Sequence, residues 1–444
     1  MVEMSPELVT IVMFGGIIIG ILCGYPLALI LGGVAMVVGF AVIGPMVFNQ
    51  FMMRIFALAT NYYFLAVPLF VFMGEMVEKS GAAERLYNGL YLLFGRLRGG
   101  LAIATILMGT ILAACVGIVA ASIVMIGLIA VPSMLKRGYN KELICGTVCA
   151  GGTLGILIPP SVMLVIYGPM AQLSVGKLFM GAFGPGFVLS GLYCSYVAIR
   201  CLLSPRIAPA ISVEERAVPM LKKLYILLTA VVPPVFLILA VLGSIFFGIA
   251  APTEAAAVGA LAASLLVIAY RRFNWQTLKE CLLYTLTLTC MIYLIAFGAQ
   301  MFVGVFLKLG GGEVISNLVL GAPGARWGVF AIVMFLVFIL GFVIDYIGII
   351  FIMVPLITPI AAAVGFDPIW FAIMVCVNLQ MSYMTPPMAP SIFFLKGITQ
   401  PEWGLTIGTI IRGVIPFVGL IMIGLALCVL FPQIITWLPS AMIK

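Results

Sequence analysis

Two double prolines, Pro159-Pro160 and Pro386-Pro387, each stand in the middle of an apolar stretch without a charged residue. Proline carries no backbone N–H and its ring blocks the preceding turn, so a helix that reaches either pair must stop there. The surroundings are those of a membrane protein, because 64% of the 444 residues are hydrophobic and only 8% are charged, where a soluble chain carries about 25% charged residues. In a bilayer, interrupted backbone is tolerated only where it is buried in protein or lines a polar cavity. One such break in each half of the chain points to a transport site near the membrane midplane.

Composition excludes several other readings. There is no histidine among the 444 residues, so the ten cysteines cannot complete an ordinary zinc site. Cys145 and Cys149, four residues apart, read as small apolar packing residues, and no transition metal or cofactor is expected. The net charge of +8 comes from loop lysines and arginines, which calls for a lipid bilayer as partner and not for nucleic acid. The start, Met1-Val2-Glu3-Met4-Ser5-Pro6-Glu7, is acidic where a signal peptide is basic, so the first span is expected to be retained. No Gly-x-x-x-x-Gly-Lys-Ser/Thr phosphate loop occurs, which argues against ATP chemistry. An intramembrane enzyme is disfavoured too: an aspartyl protease needs a second membrane carboxylate, a metalloprotease needs histidine, and an open channel does not suit segments that plug the midplane.

Charge-free runs mark the expected spans, at about 20 residues per crossing. Residues 1–54 read as N-terminal scaffold with two crossings turning at Cys23-Gly24-Tyr25-Pro26, and 55–74, 178–199, 224–253, 255–270, 281–307 and 413–443 as one crossing each. Residues 99–135 and 327–366 are too long for one helix and read as broken helices, with break signals at Val116-Gly117 and at Gly341, Asp345 and Gly348. The double-proline runs 143–176 and 368–397 have arms too short for a full crossing and read as re-entrant hairpins.

An internal repeat connects these pieces. From Gly138-Tyr139 to Gly365-Phe366, and from Pro159 to Pro386, the step is 227 residues; from Gly117 to Asp345 it is 228, and from Lys79-Ser80-Gly81 to Lys308-Leu309-Gly310 it is 229. The expected organisation is therefore a first repeat at 55–200, a polar linker at 201–223, scaffold helices at 224–280, a second repeat at 281–412 and a C-terminal helix at 413–444. The fold class is all-α polytopic, with two inverted repeats that each hold a hairpin and a broken helix. Positive charge puts Lys79–Arg98, the linker and Arg271-Arg272 on the cytoplasmic side, while the basic loop Lys136–Lys141 argues the other way.

Asp345 is the only charged residue between Arg326 and Asp367, with no basic partner in its own segment. Placing an ionised aspartate at mid-bilayer costs about 2.5–3.5 kcal/mol, which a bound Na⁺ or H⁺ would offset. The alternative is a protonated Asp345 hydrogen-bonded to a neighbouring helix. At the first double proline, one half-helix ends on Gly151–Pro160 with free carbonyls that suit Na⁺, and the next starts at Ser161 with N–H groups that suit an anion. Asn378, Gln380, Ser382, Thr385 and Ser391 repeat this polarity around the second pair. Lys308 either meets a substrate carboxylate or snorkels to the headgroups, and Glu75 and Glu254 read as scaffold hydrogen-bonding groups.

At these residues the chain resembles a known family. Gly152-Thr153-Leu154-Gly155-Ile156-Leu157-Ile158-Pro159-Pro160-Ser161, the run Gly248–Gly259, and Asn378-Leu379 followed by Thr385-Pro386-Pro387 resemble the large membrane subunit of tripartite ATP-independent periplasmic (TRAP) transporters. The resemblance runs nearly end to end. It implies an elevator fold in the bacterial inner membrane that imports a small organic anion, carboxylate or sulfonate, with Na⁺ as coupling ion. It also implies a small four-helix membrane subunit and a periplasmic solute-binding protein as partners. A standalone dicarboxylate/Na⁺ symporter of the same superfamily is the nearest alternative. Carried over residue by residue, one sodium site involves Val116, Gly155, Ile158 and Pro160, and the other Asp345, Thr385 and Met388. Substrate contacts would come from Ser161, Asn378, Gln380, Ser382, Ser391 and Lys308. The chain departs from the family where relatives often carry Ser-Gly-Ser-Ser and it has Val116-Gly117-Ile118-Val119, where an acidic residue is common and it has Gln380, and where Ala389 and Ser391 replace Gly and Asn.

Overall fold

A computed structural model describes residues 3–210, 219–321 and 323–442. The linker residues Glu214-Glu215-Arg216 lie outside them. Three helices come first, α1 (Pro6–Leu22), α2 (Leu27–Ile43) and α3 (Met46–Ala59). The first repeat comprises α4 (Ala66–Lys79), α5 (Ala82–Phe94), α6 (Gly100–Val116), α7 (Val119–Lys136), α8 (Lys141–Leu157), α9 (Val162–Ala171) and α10 (Val175–Leu203). Then come α11 (Met220–Phe246) and α12 (Pro252–Ala269). The second repeat is α13 (Trp275–Lys308), α14 (Gly311–Leu320), α15 (Ala325–Leu340), α16 (Tyr346–Ala363), α17 (Pro368–Met384), α18 (Pro390–Ile398) and α19 (Ile407–Leu430), and α20 (Gln433–Ser440) closes the chain. No strand occurs among the described residues.

Eight helical stretches among the described residues are long and apolar enough to cross a membrane, or nine if α3 and α4, bent 54° apart, count together. α1 and α2, on either side of the turn at Cys23–Pro26, have 17 residues each, about 26 Å of helix, at the short end of the range that spans a bilayer core of about 30 Å. One reading of the sequence is corrected here. The stretch 413–443, expected as one crossing, divides at Phe431-Pro432 into α19 and the short α20, which packs against α10.

The repeat reappears in packing. α2 lies on α13 as α12 lies on α4, α1 meets α14 as α11 meets α5, α9 meets α16 as α18 meets α7, and α8 meets α19 as α17 meets α10. Left-handed glycines open or close matching helices, as at Gly81 and Gly310, or Gly138 and Gly365. Caps match too: Asn140 accepts from the Leu143 N–H before α8, and Asp367 from the Trp370 N–H before α17. The two halves therefore pack on each other reciprocally.

The packing also corrects which segments are hairpins. The start of α6 and the end of α7 meet, with the Leu101 N–H donating to the Tyr139 hydroxyl at 3.3 Å. The same end of the molecule holds the end of α10 and the start of α19, because the Asn140 N–H donates to the Ile207 carbonyl at 2.7 Å and the Lys141 ammonium to the Gly404 carbonyl at 3.3 Å. By contrast, α8 and α9 follow one another over 31 residues from Lys141 to Ala171, apolar and long enough for one crossing and enclosed through its middle. The run 99–135 is thus a re-entrant hairpin and 143–176 an interrupted crossing, the reverse of the sequence reading.

The second half does the same from the opposite end. Trp327 in the first turn of the first arm and Phe366 after the second are in edge contact at 5.6 Å, so α15 and α16 enter and return together. The Trp370 indole N–H donates to the Cys428 carbonyl near the end of α19, while the Lys396 ammonium at the end of α18 donates to the Leu405 carbonyl before its start. α17 and α18 therefore run the length of α19, and the two hairpins open to opposite ends of the molecule. The physical reason is local. The double prolines interrupt the ladder with extended residues such as Ile158 (φ −72°, ψ 120°) that let the chain continue onward. Gly117 at φ +63° turns it back.

Candidate functional site

The first hairpin tip rests on the first interrupted crossing. A Cβ on Gly117 would lie 2.8 Å from the Pro160 carbonyl oxygen, and one on Gly74 of α4 would lie 2.6 Å from the Val116 carbonyl oxygen. The tip is therefore seated between α4 and the α8–α9 break, and any side chain at Gly117 would separate them. Both Pro-Pro peptide bonds are cis.

Each proline pair strips two carbonyls of the helical donor four residues on. Pro160 leaves Ile156 unpaired and Pro387 leaves Tyr383 unpaired; the Ser161 hydroxyl donates to Ile156 and the Ser391 hydroxyl to Tyr383, at 2.5 and 2.9 Å. Both serines are fully buried. The substrate contacts expected of them are replaced by this repair of the backbone. Pro159 likewise removes the donor of the Gly155 carbonyl, since the Ile158 N–H goes to Leu154. Beside Gly155 stands the Ser122 hydroxyl, 3.4 Å from where its Cβ would be, completely buried and without a hydrogen-bond partner. The tip residues next to Val116 thus meet Pro160, Gly155 lies against Ser122 and Ala113, and Ile158 directs its side chain onto Gly186 of α10.

At the second tip, Asp345 is the N-cap of α16. Its Oδ2 accepts from the Ile347 N–H at 3.1 Å, and its Oδ1 accepts from the Tyr383 hydroxyl, also at 3.1 Å. The carboxylate is half-buried at the positive end of a helix, which lowers the cost of its charge. Thr385 caps α17 and donates to the Met381 carbonyl at 2.8 Å, and Met388 is 47% exposed.

Asp345, Tyr383 and Met388 form part of a cleft of about 430 Å³. Residues 118–120 at the start of α7 and 343–347 around the second break make one wall, with Phe394 of α18 beside them. Leu288, Met291 and Ile295 of α13 and the α1–α2 turn, with Tyr25, make the other. The cleft therefore separates the hairpins and interrupted crossings from α1, α2 and α13. It receives one helix N-terminus from each repeat: α16, capped by Asp345, and α7, whose N-cap Ile118 provides no side-chain acceptor. Such a pair, next to free carbonyls, suits an anion accompanied by cations.

The remaining expected contacts lie elsewhere. The Asn378 amide donates to the Met334 carbonyl at 2.7 Å and ties α17 to α15, and the Ser382 hydroxyl donates to the Leu379 carbonyl. Gln380 is fully buried and neither amide atom has a partner. Lys308 is exposed at the end of α13, thirteen residues beyond the cleft residue Ile295, about 20 Å away along the helix. Glu254 closes a capping box, accepting from the Ala251 N–H at 2.9 Å, whereas Glu75 is buried on α4. The sequence reading missed Tyr383, the start of α7, the α13 wall and Ser122, although Ser122 is the only hydroxyl between Gly117 and Pro132.

Comparison with known proteins agrees with this architecture. The sequence matches the family described as "Tripartite ATP-independent periplasmic transporter, DctM component" over residues 10–434. The chain belongs to that family. It is 32% identical over 390 residues to the C4-dicarboxylate TRAP transporter large permease protein DctM of Pseudomonas aeruginosa, covering 87% of this chain and 88% of that one. It is 29% identical to the sialic acid TRAP transporter large permease protein SiaM of Vibrio cholerae, covering 86% and 87%. Among solved structures, the Alcanivorax borkumensis YdaH transporter superposes with a TM-score of 0.60 at 16% identity, covering 95% of this chain and 99% of that one, which is a likeness of fold. This multi-pass TRAP large permease thus shares its family with permeases named for quite different solutes.

Proposed function

We propose that this permease imports a small organic anion by Na⁺ symport, working with a periplasmic solute-binding protein and a small four-helix membrane subunit in a bacterial inner membrane. The observation that carries the reading is the cleft between α13 with the α1–α2 turn and the group that holds both hairpins and both interrupted crossings. In an elevator mechanism this second group is the body that moves, and the solute travels on its surface at the start of α7. One Na⁺ is held by the carbonyls of Val116, Gly155 and Pro160 and the hydroxyl of Ser122. The other is held by Asp345 with the backbone at Thr385 and Met388. The end carrying α5, the Lys136–Lys141 loop and Arg271-Arg272 faces the cytoplasm, because Arg272 pairs with Glu84 at 3.2 Å and the Arg137 guanidinium donates to the Tyr91 hydroxyl at 2.7 Å, gathering the basic loops on one side.

The test is solute uptake into proteoliposomes that hold the permease and its small subunit, with the binding protein outside. Accumulation that follows an inward Na⁺ gradient and disappears in Asp345→Asn is the expected result. Accumulation driven only by a proton gradient overturns the sodium assignment, and uptake that does not need the binding protein points to a standalone symporter.

A further inference from the structure

The walls of the cleft restrict which anion fits, an inference that rests on the transport reading above. Among the side chains that line it, the only polar ones are Asp345 and three tyrosines, Tyr25, Tyr346 and Tyr383; there is no lysine, arginine, serine, threonine, asparagine or glutamine. One feature of the cleft is electropositive and free, the uncapped N-terminus of α7, since the α16 N-terminus already serves Asp345. A helix N-terminus carries about half an elementary charge, enough to favour one anionic group. A second carboxylate on the solute would meet Leu288, Met291 and Ile295, which offer neither charge nor hydrogen-bond donor, while a Na⁺ at Asp345 is already balanced by that residue's own carboxylate. The hydroxyls of a sugar acid would lose water against the same apolar face without recovering hydrogen bonds. The volume, about 430 Å³, is within the range of small-molecule pockets, about 300–1,000 Å³.

We propose that the solute is a monoanion, a single carboxylate or sulfonate on a hydrocarbon or aromatic body. Its head group takes the N–H groups at the start of α7, and its body lies against the apolar face of α13 and Phe394. This differs from the dicarboxylate and sialic acid that give the relatives their names.

The purified full-length permease, in lipid nanodiscs with Na⁺ or with choline, is titrated with 4-methylpentanoate, phenylacetate, succinate and N-acetylneuraminate while thermal stability is recorded. The expected result is Na⁺-dependent stabilisation by the first two, with an apparent Kd lower by roughly a hundredfold than for the other two, the scale on which an apolar pocket discriminates. Met291→Arg, or Leu288→Lys should that variant not fold, places a cation on the apolar wall and is expected to shift preference toward succinate. Succinate or N-acetylneuraminate binding as tightly as the apolar monoanions overturns the proposal, as does an unchanged ranking in a folded variant. Stabilisation by Na⁺ with no response to any of the four anions also overturns it while sparing the ion sites. No response to Na⁺ or to any anion removes the transport reading of the cleft along with the proposal.

Discussion

Asp345 carries two functions at once, and substitution separates them. As N-cap it closes the start of α16 through the Ile347 N–H, and as a carboxylate it supplies the charge on the cleft wall. Asparagine caps a helix about as well as aspartate, whereas alanine costs about 1 kcal/mol at an N-cap. Asp345→Asn and Asp345→Ala are therefore both expected to abolish Na⁺-driven uptake, but only the alanine variant should unfold measurably earlier in a melt of the purified protein. Equal melting of the two would mean that the cap contributes nothing. Ser122 gives a finer test. Its buried hydroxyl has no partner and lies against Gly155, whose carbonyl loses its helical donor to Pro159. Losing one neutral contact of about 1 kcal/mol in Ser122→Ala should raise the Na⁺ concentration for half-maximal uptake about fivefold. Unpaired buried hydroxyls are costly, so the same variant is expected to lose no thermal stability in the absence of Na⁺. Unchanged Na⁺ dependence would show that the hydroxyl does not reach the ion.

At the scale of elements, reversal and interruption are distinct devices. Gly117 turns the α6–α7 hairpin at φ +63° and lies flush against the Pro160 carbonyl, whereas Gly138, at φ +72°, has nothing within 4 Å of its missing Cβ. Alanine in a left-handed conformation costs about 1–2 kcal/mol at either position. Gly138→Ala should therefore lower the melting temperature with uptake intact. Gly117→Ala should do so more severely and also stop uptake, because its Cβ would pry the tip from the α8–α9 break. The contrast also marks what sequence can and cannot say. The breaks themselves are legible at Pro159-Pro160 and Pro386-Pro387, although Pro233-Pro234 lies inside α11 without ending it, and a lone aspartate in an apolar run needs freed backbone or a partner beside it. Their roles come out exchanged, because arm length alone suggests re-entry: α8 and α9 are each too short to cross, yet they stack end to end through Pro159-Pro160. Ser161 and Ser391 mislead for a related reason. A hydroxyl next to a proline pair looks like a ligand in sequence, but the orphaned carbonyl of Ile156 or Tyr383 is nearer and takes it first. The α13 wall is not foreseeable, since nothing in an apolar helix says which face lines a cleft.

For the whole molecule, the internal repeat carries the alternating geometry. The two halves pack reciprocally, α2 on α13 and α12 on α4, and place one hairpin at each end, with the cleft between α13 and the α1–α2 turn on one side and the hairpins and interrupted crossings on the other. On the proposed symport the driving force is ample: two Na⁺ with a monoanion would move one net charge, about 2.3 kcal/mol per 100 mV, and a tenfold Na⁺ gradient would add about 1.4 kcal/mol per ion. Inversion is the part of this scheme most open to direct test. Lys136 at the end of α7 and Ala363 at the end of α16 are 227 residues apart, occupy matching positions in the two repeats, and are both exposed. In a background without the native cysteines, Lys136→Cys and Ala363→Cys should react with a membrane-impermeant maleimide from opposite sides of oriented vesicles. The basic loops around Lys136 place that residue on the cytoplasmic side, so Ala363→Cys should be the one labelled in intact, right-side-out spheroplasts. Labelling of both from one side would make the repeats parallel. The two hairpins would then open to a common face, and a cleft built between them could not be offered to each side of the membrane in turn.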